Sequence, residues 1–157
     1  MQLRPYTPED LDNVVSLFYK TVHQICSAAY TPAQLNAWAP ARWDRQRWED
    51  LLSGKSGHQV FLAEEEGVLA GFATLCLEES LLDHLYVSAD FQRKGVATLL
   101  ADHIETLARE AGLQRLHTEA SLVARGFFEK RGYRVLLQQQ VERRGQLLTN
   151  FVMEKII

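Results

Sequence analysis

Val87-Ser-Ala-Asp-Phe-Gln-Arg-Lys-Gly-Val-Ala97 is the stretch that decides how this chain folds. It joins an apolar run, Leu81-Leu82-Asp83-His84-Leu85-Tyr86-Val87, to a strongly amphipathic segment that starts at Gly95. A strand, a glycine-containing turn and a helix start leave backbone N–H groups unpaired, and the helix dipole points its positive end at the same place. Gln92, Arg93 and Lys94 add side-chain donors, and Gly95 and the small Ala97 let an anion approach the backbone from Gly95 through Val96 and Ala97 to Thr98. A phosphate-bearing ligand is expected to dock on this loop.

Upstream, Gln2–Pro5 reads as a short strand, and Thr7-Pro8 with Asp10 marks a helix start. Leu11, Val14, Val15, Phe18, Val22, Ile25 and Cys26 recur at helical spacing, which predicts a helix from about Pro8 to Ser27. Thr31-Pro32 opens a short helix through about Ala39, and another short helix covers about Asp44–Leu52. The tract Ser53-Gly-Lys-Ser-Gly57 is a loop. Strands follow at His58–Glu64, Val68–Leu77 and Leu81–Val87; the second is apolar at nearly every position, as for a strand buried on both faces.

Downstream, Val96, Leu99, Leu100, Ile104, Leu107, Ala108 and Ala111 form one apolar stripe on a helix from Gly95 to about Ala111, ended by Gly112. Leu116–Ala120 reads as a strand and Leu122–Arg131 as a helix stopped by Gly132. Tyr133–Val141 and Leu147–Glu154 form a closing hairpin around Arg143-Arg144-Gly145. The order β-α-α-β-β-β-α-β-α-β-β predicts an α/β protein, a mixed sheet with helices on both faces, built as a single domain over residues 1–157.

Composition bounds the function. With 46% apolar and 24% charged residues the chain has ordinary globular content. Its apolar runs are too short to span a bilayer, and no basic-then-apolar leader opens it, so cytoplasmic residence is the expectation. A net charge of −3 argues against nucleic acid as the main partner. Of the local basic clusters, Arg93/Lys94 and Arg125/Lys130/Arg131 flank the anion loop, whereas Arg143/Arg144 reads as solvated surface. Cys26 and Cys76 do not make a disulfide framework and read as small, buried, reduced residues.

Two apparent motifs are rejected. Gly54-Lys55-Ser56 lacks the upstream glycine of a phosphate-binding P-loop, since position 49 is Glu, and it follows a helix. His23 and Cys26 lie one helical turn apart, but no second pair at metal spacing exists and both fall on or near the apolar stripe, so no metal is expected.

The pattern Gln92-x-x-Gly95-x-Ala97 after a strand resembles the pyrophosphate signature of the GNAT superfamily, the acetyl-CoA-dependent N-acetyltransferases. A second block, Glu119-Ala-Ser-Leu-Val-Ala-Arg-Gly-Phe-Phe-Glu-Lys-Arg-Gly-Tyr133, resembles that superfamily's fifth strand and fourth helix. The resemblance runs from about Gln2 to Lys155. Within it, Tyr30-Thr-Pro-x-Gln34-x-x-Ala37-Trp38 and the tail from Gln139 to Phe151 are similar to the YafP-like bacterial subgroup.

The resemblance implies a GNAT-like fold whose strand Leu81–Val87 splays from the strand near Leu116–Ser121 and opens a cleft. Backbone groups at Leu85, Tyr86 and Val87 would then pair with the pantetheine arm and polarise the acetyl carbonyl, a device that needs no particular side chain. Gln92 through Thr98 would hold the pyrophosphate, and Ser121 stands near a position that contacts pantetheine in the family. Trp38, in the N-terminal region that lines the acceptor side, is the candidate substrate contact.

Asp83 is the first candidate for the base that deprotonates the incoming amine. Strand alternation gives it the facing of Leu85 and Val87, and a carboxylate among leucines is poorly explained by packing. Glu119 is the second. Phe128 departs from the family, many of whose members carry a Tyr there to protonate the CoA thiolate. Water, Tyr86, Tyr133 or His84 could replace it, or the thiolate could leave unassisted. The expected activity is acetyl transfer from acetyl-CoA to a small primary amine by direct attack in a ternary complex. The alternatives are a non-catalytic acyl-CoA sensor, motivated by Phe128, and an acetyltransferase acting on protein lysines or N-termini. A homodimer through the closing hairpin is compatible with each.

Overall fold

The computed structural model describes residues Met1–Ile157. Its strands are β1 Gln2–Pro5, β2 His58–Glu65, β3 Val68–Cys76, β4 Leu81–Val87, β5 Arg115–Ser121, β6 Arg134–Arg143 and β7 Gln146–Ile156. They form one sheet in the order β1-β2-β3-β4-β5-β7-β6, antiparallel except between β4 and β5. Helices α1 Leu11–Ile25, α2 Pro32–Trp38 and α3 Arg45–Leu52 pack on one face; α4 Val96–Glu110 and α5 Arg125–Lys130 pack on the other.

Two cores result. Val14, Phe18 and Val22 of α1 meet Leu62 and Phe72 on the first face, while Leu100 and Ile104 of α4 meet Leu75, Leu82, Leu116 and Met153 on the second. The continuous apolar run of β3 serves both, with Phe72 turned to one core and Leu75 to the other. At Gly71 the start of α4 comes close to the sheet. A Cβ there would come within 2.8 Å of the Tyr86 carbonyl and 3.1 Å of Val96, so only glycine lets the start of α4 settle this close.

α2 owes its place to the Tyr30–Gln34 motif. Thr31 Oγ1 accepts from the Gln34 N–H at 3.2 Å, and Gln34 Oε1 accepts from the Thr31 N–H at 2.9 Å, a reciprocal helix cap. Gln34 Nε2 then donates to the Leu147 carbonyl at 2.9 Å. Tyr30 Oη donates to the Thr149 carbonyl at 2.7 Å and accepts from the Leu122 N–H at 2.9 Å, bridging β7 and the end of β5.

Two irregularities build the cleft. β4 and β5 pair only at Leu81–His117, with Thr118 Oγ1 donating to the Leu82 carbonyl at 2.8 Å; beyond that point the strands diverge. β4 also bulges: Thr74 pairs with His84 and Leu75 with Leu82, so Asp83 is an extra residue without a partner on β3. The bulge overturns the facing expected from alternation. Leu85 and Val87 join the α4-side core, whereas Asp83 lies with His84 on the side of α1–α3, within hydrogen-bond reach of His58.

Two further expectations change. The helix read at Leu122–Arg131 begins at Arg125, because Ser121 Oγ accepts from the Ala124 N–H at 3.0 Å and holds the intervening residues in a turn. Arg131 does not serve the anion loop either. Glu105 is a buried carboxylate on α4 and draws in Arg131 Nη2 at 3.0 Å, Lys155 Nζ at 2.7 Å and the Tyr133 hydroxyl at 3.0 Å. Arg125 pairs with Glu129 at 2.7 Å.

Candidate active site

The loop after β4 leads into α4 through Gly95, whose φ of 78° suits glycine and whose missing side chain leaves the helix without a side-chain cap. The first-turn amides of α4, at Val96, Ala97 and Thr98, therefore have no intrahelical or capping partner. They line a cavity of about 350 Å³ between the splayed strands and α4, together with Leu85, Tyr86, Val87, Gln92, Arg93, Gly95, Ser121 and Phe128. Gln92 Nε2 donates to the carbonyls of Val87 at 2.9 Å and Ser88 at 3.2 Å, so this side chain fixes the loop's shape. Lys94 stands outside the wall, its Nζ 5.4 Å above the Phe91 ring.

The floor of this cavity is an unpaired strand edge. The Ser88 N–H donates to the Ala70 carbonyl at 2.8 Å. Alternation in an antiparallel ladder then turns the Tyr86 amide toward β3 and the amides of Leu85 and Val87 toward the gap.

A second cavity, of about 980 Å³, lies on the other side, beneath α1–α3 and the β6–β7 hairpin. Phe18, Tyr30, Trp38, Trp43, Trp48 and Tyr86 give it aromatic walls; Asp44, Asp50, Arg47, Arg143 and Arg144 supply charge. Asn150 also lines it, and its Oδ1 is buried without a hydrogen-bond partner. An acceptor left in that state costs about 1–3 kcal/mol until a donor arrives.

Trp38, Asp83, Tyr86, Glu119 and Ser121 line both cavities, which therefore meet at these residues. The two carboxylates singled out in the sequence are both there. Asp83 Oδ2 lies 2.7 Å from His58 Nε2 and 3.6 Å from His84 Nδ1. Glu119 is exposed and accepts from Gln139 Nε2 at 2.8 Å.

Phe128 is buried beside the narrower cavity, edge-on to Phe127 at 5.2 Å and to Tyr133 at 5.0 Å. Of the groups that could stand in for its absent hydroxyl, Tyr133 lines neither cavity and spends its proton on Glu105. Burial, reinforced by Glu105, raises its pKa well above the phenol range. Tyr86 does reach the junction, packed edge-on to Phe18 at 5.0 Å, and burial holds its proton tightly. Burial pushes the His84 pKa down, so that imidazole is neutral; its Nδ1 lies 2.7 Å from Thr74 Oγ1. Cys26 lines the narrower cavity, but burial pushes its thiol up to about 11, which removes it as a thiolate nucleophile. His23 Nε2 is 2.7 Å from the Ala39 carbonyl, a packing role.

Sequence reasoning missed His58, Arg144 and Asn150, which reach the site through a partner distant in the chain or as part of the cavity wall. Arg144, read as bland surface, donates to the Ala37 carbonyl at 2.6 Å and lines the wider cavity.

Comparison with known proteins agrees with this geometry. A family model described as an acetyltransferase (GNAT) domain matches residues 26–155. The uncharacterized N-acetyltransferase YafP of Escherichia coli K12 is 35% identical over 153 residues, covering 98% of this chain and 94% of that protein. The crystal structure of a GCN5-related N-acetyltransferase from Rhodopseudomonas palustris superposes with a TM-score of 0.94 at 35% identity, covering 99% of this chain and 95% of the other. The PaiA N-acetyltransferase of Thermoplasma acidophilum, solved with coenzyme A, gives a TM-score of 0.81 at 16% identity, covering 99% and 98%. A two-cavity cleft at a splayed strand pair, a family model spanning most of the residues and near-full-length relatives lead to one assignment: the chain belongs to the GNAT family of acetyltransferases.

Proposed function

We propose that the protein transfers the acetyl group of acetyl-CoA to the primary amine of a small molecule, by direct attack within a ternary complex. The observation that carries this is the meeting of two cavities at Asp83, beside the unpaired amides of Leu85 and Val87. The narrower cavity, walled by the free amides of α4, suits a phosphate-bearing donor, and the relative solved with coenzyme A supports that choice. The wider cavity has aromatic walls and carries charge of both signs, and the carboxylates Asp83 and Glu119 at its junction with the narrower one suit an amine on an apolar body.

In this mechanism Asp83 accepts a proton from the incoming ammonium, and Glu119 is the alternate acceptor at the same junction. The nitrogen then attacks the acetyl carbonyl, whose oxygen gains negative charge opposite the N–H groups of Leu85 or Val87. Amides already fixed by β3 reorganise little as that charge appears, which is where their catalytic value lies. With Phe128 beside the donor cavity, the sulfur takes its proton from water or leaves as the thiolate, since burial holds the Tyr86 proton too tightly for it to serve.

A thiol-release assay with acetyl-CoA across aliphatic amines, aryl amines, aminoglycosides and lysine peptides tests this proposal. Turnover on small amines supports it, and turnover on peptides alone redirects it to a protein-directed enzyme. Phe128 keeps one rival in play: tight acetyl-CoA binding with no turnover on any amine would make the protein a sensor. A homodimer through β6–β7 belongs to the same proposal, since edge strand β6 exposes Leu136 and Leu137; light scattering on the purified protein tests it. Cytoplasmic residence belongs to it too, and no helix is long and apolar enough to cross a membrane.

A further inference from the structure

Two imidazoles approach Asp83, and they are not equivalent. His84 Nδ1 lies 3.6 Å from Asp83 Oδ2, beyond hydrogen-bond distance, and 2.7 Å from Thr74 Oγ1. Its ring is enclosed by Phe72, Trp48 and Tyr86. His58, two strands away at the start of β2, lies 2.7 Å from the same carboxylate oxygen through Nε2. Its other nitrogen, Nδ1, is 2.9 Å from Ser56 Oγ. Ser56 sits in the exposed loop that only superficially looks like a phosphate-binding motif.

The tautomer follows from this chain of contacts. With Asp83 ionised, Nε2 carries the proton that it donates to Oδ2, and Nδ1 accepts from the Ser56 hydroxyl. Asp83 needs such support. As the bulged residue it has no partner on β3, and its side chain is 29% exposed between two cavities, so nothing in the ladder fixes its rotamer. A carboxylate has two equivalent oxygens, and a base acts only when one of them is held in line with the proton it takes.

We propose that His58 is the positioning residue of the reaction. It binds Asp83 Oδ2, leaves Oδ1 as the atom that takes the ammonium proton, and is itself held in the required tautomer by Ser56. The inference rests on the assignment of Asp83 as base. Protons balance as follows: the ammonium N–H proton passes to Oδ1, the C–N bond forms, and the C–S bond breaks. Of the two protons that leave nitrogen over the turnover, one ends on sulfur and one reaches water when Asp83 is released from the product complex. His58 does not touch substrate and gains no proton in this cycle. The charged and titratable groups facing Asp83 are His58 from β2, His84 and Tyr86 from β4, and Glu119 from β5.

The test compares His58→Leu, His58→Gln and Ser56→Ala with wild type, using kcat and KM on the best acceptor, acetyl-CoA affinity and the pH profile from 5 to 9. His58→Leu removes the donor and should lower kcat by about 10- to 100-fold with acetyl-CoA affinity unchanged. It should also move the acid limb of kcat/KM to higher pH, because a carboxylate that loses a donor holds its proton more tightly. His58→Gln keeps an N–H and should recover most of the rate and the wild-type limb. Ser56→Ala should fall between. The position of the limb is read from the shape of the profile, so a partly unfolded preparation still reports it. A His58→Leu limb and kcat that match wild type would overturn the inference while leaving the acetyltransferase proposal standing. So would a His58→Gln profile no better than that of His58→Leu. Wild-type protein that binds acetyl-CoA but acetylates no amine would overturn both.

Discussion

Arg144, in the turn of the closing hairpin, donates from Nη1 to the carbonyl of Ala37 near the end of α2, at 2.6 Å. The last carbonyls of a helix have no intrahelical partner and sit at its negative end, so a guanidinium is well matched to them. The contact ties β6–β7 to α2 at the wall of the acceptor cavity. Arg144→Ala should therefore raise the acceptor KM several-fold and leave the acetyl-CoA KM unchanged. Loss of one such bond, about 1 kcal/mol, should lower Tm by only about 2–4 °C. Steady-state kinetics with a thermal melt decide, and an unchanged acceptor KM would show that the hairpin is held elsewhere.

Gly95 combines a φ of 78° with an open space where a Cβ would stand. Gly95→Ala should cost only about 1–2 kcal/mol of backbone strain and weaken CoA binding modestly. Gly95→Glu should abolish binding, because it places a negative charge where the helix amides await a phosphate. Calorimetry with CoA separates the two, and equal affinities would put the pyrophosphate on another surface.

Asp83→Asn keeps the shape and removes the proton acceptor. Turnover should fall by about 100- to 10,000-fold while acetyl-CoA affinity holds. Undiminished activity between pH 6 and 9 would pass the role to Glu119, which lines the same junction.

Phe128→Tyr restores a hydroxyl beside the donor cavity. If protonation of the thiolate limits the rate, kcat should rise with little change in acetyl-CoA affinity, since only the transition state gains the interaction. The ring is only 3% exposed and packed by Phe127 and Tyr133. A hydroxyl that found no room would instead cost about 1–3 kcal/mol and show as a lower melting temperature.

Acid stability should depend on the first strand. Arg4 Nη2 sits 2.7 Å from Asp10 Oδ1, and hydrogen bonding from this guanidinium holds the Asp10 carboxyl down at about 2. A depressed carboxylate stabilises the fold fully above its unfolded pKa, near 4, and the contribution disappears as pH falls toward 2. Arg4→Met should raise the midpoint of acid unfolding followed by circular dichroism. A midpoint that does not move would mean the pair adds nothing.

Most of the architecture was legible because its signals are local. Gly95 and Gly112 bracket α4 and Gly132 follows α5, the all-apolar β3 shows its double burial, and Thr31-Pro32-x-Gln34 shows a helix start. The strand–turn–helix layout around Val87–Ala97 was legible for the same reason. What failed were inferences that assume regularity or ignore distance. Alternation placed Asp83 beside Leu85, but one extra residue in β4 turned it to the other face. The cluster holding Arg131 was read as flanking the anion loop, but α4 brings Glu105 against Arg131, 26 residues away in the chain. His58 and Asp83 are 25 residues apart, and no periodicity joins them; only the pairing of β2, β3 and β4 does.

The unpaired edge of β4 has an evolutionary consequence. The amides at Leu85 and Val87 belong to the main chain, so every substitution there except proline leaves the N–H in place. The walls of the wider cavity at Trp38, Trp43, Trp48 and Asn150 are side chains and carry no such protection. On the proposed reaction, a lineage can therefore change its amine while the main-chain groups that would polarise the carbonyl survive almost any point mutation. Diversity of acceptors among relatives with the same cleft is what that asymmetry leads one to expect.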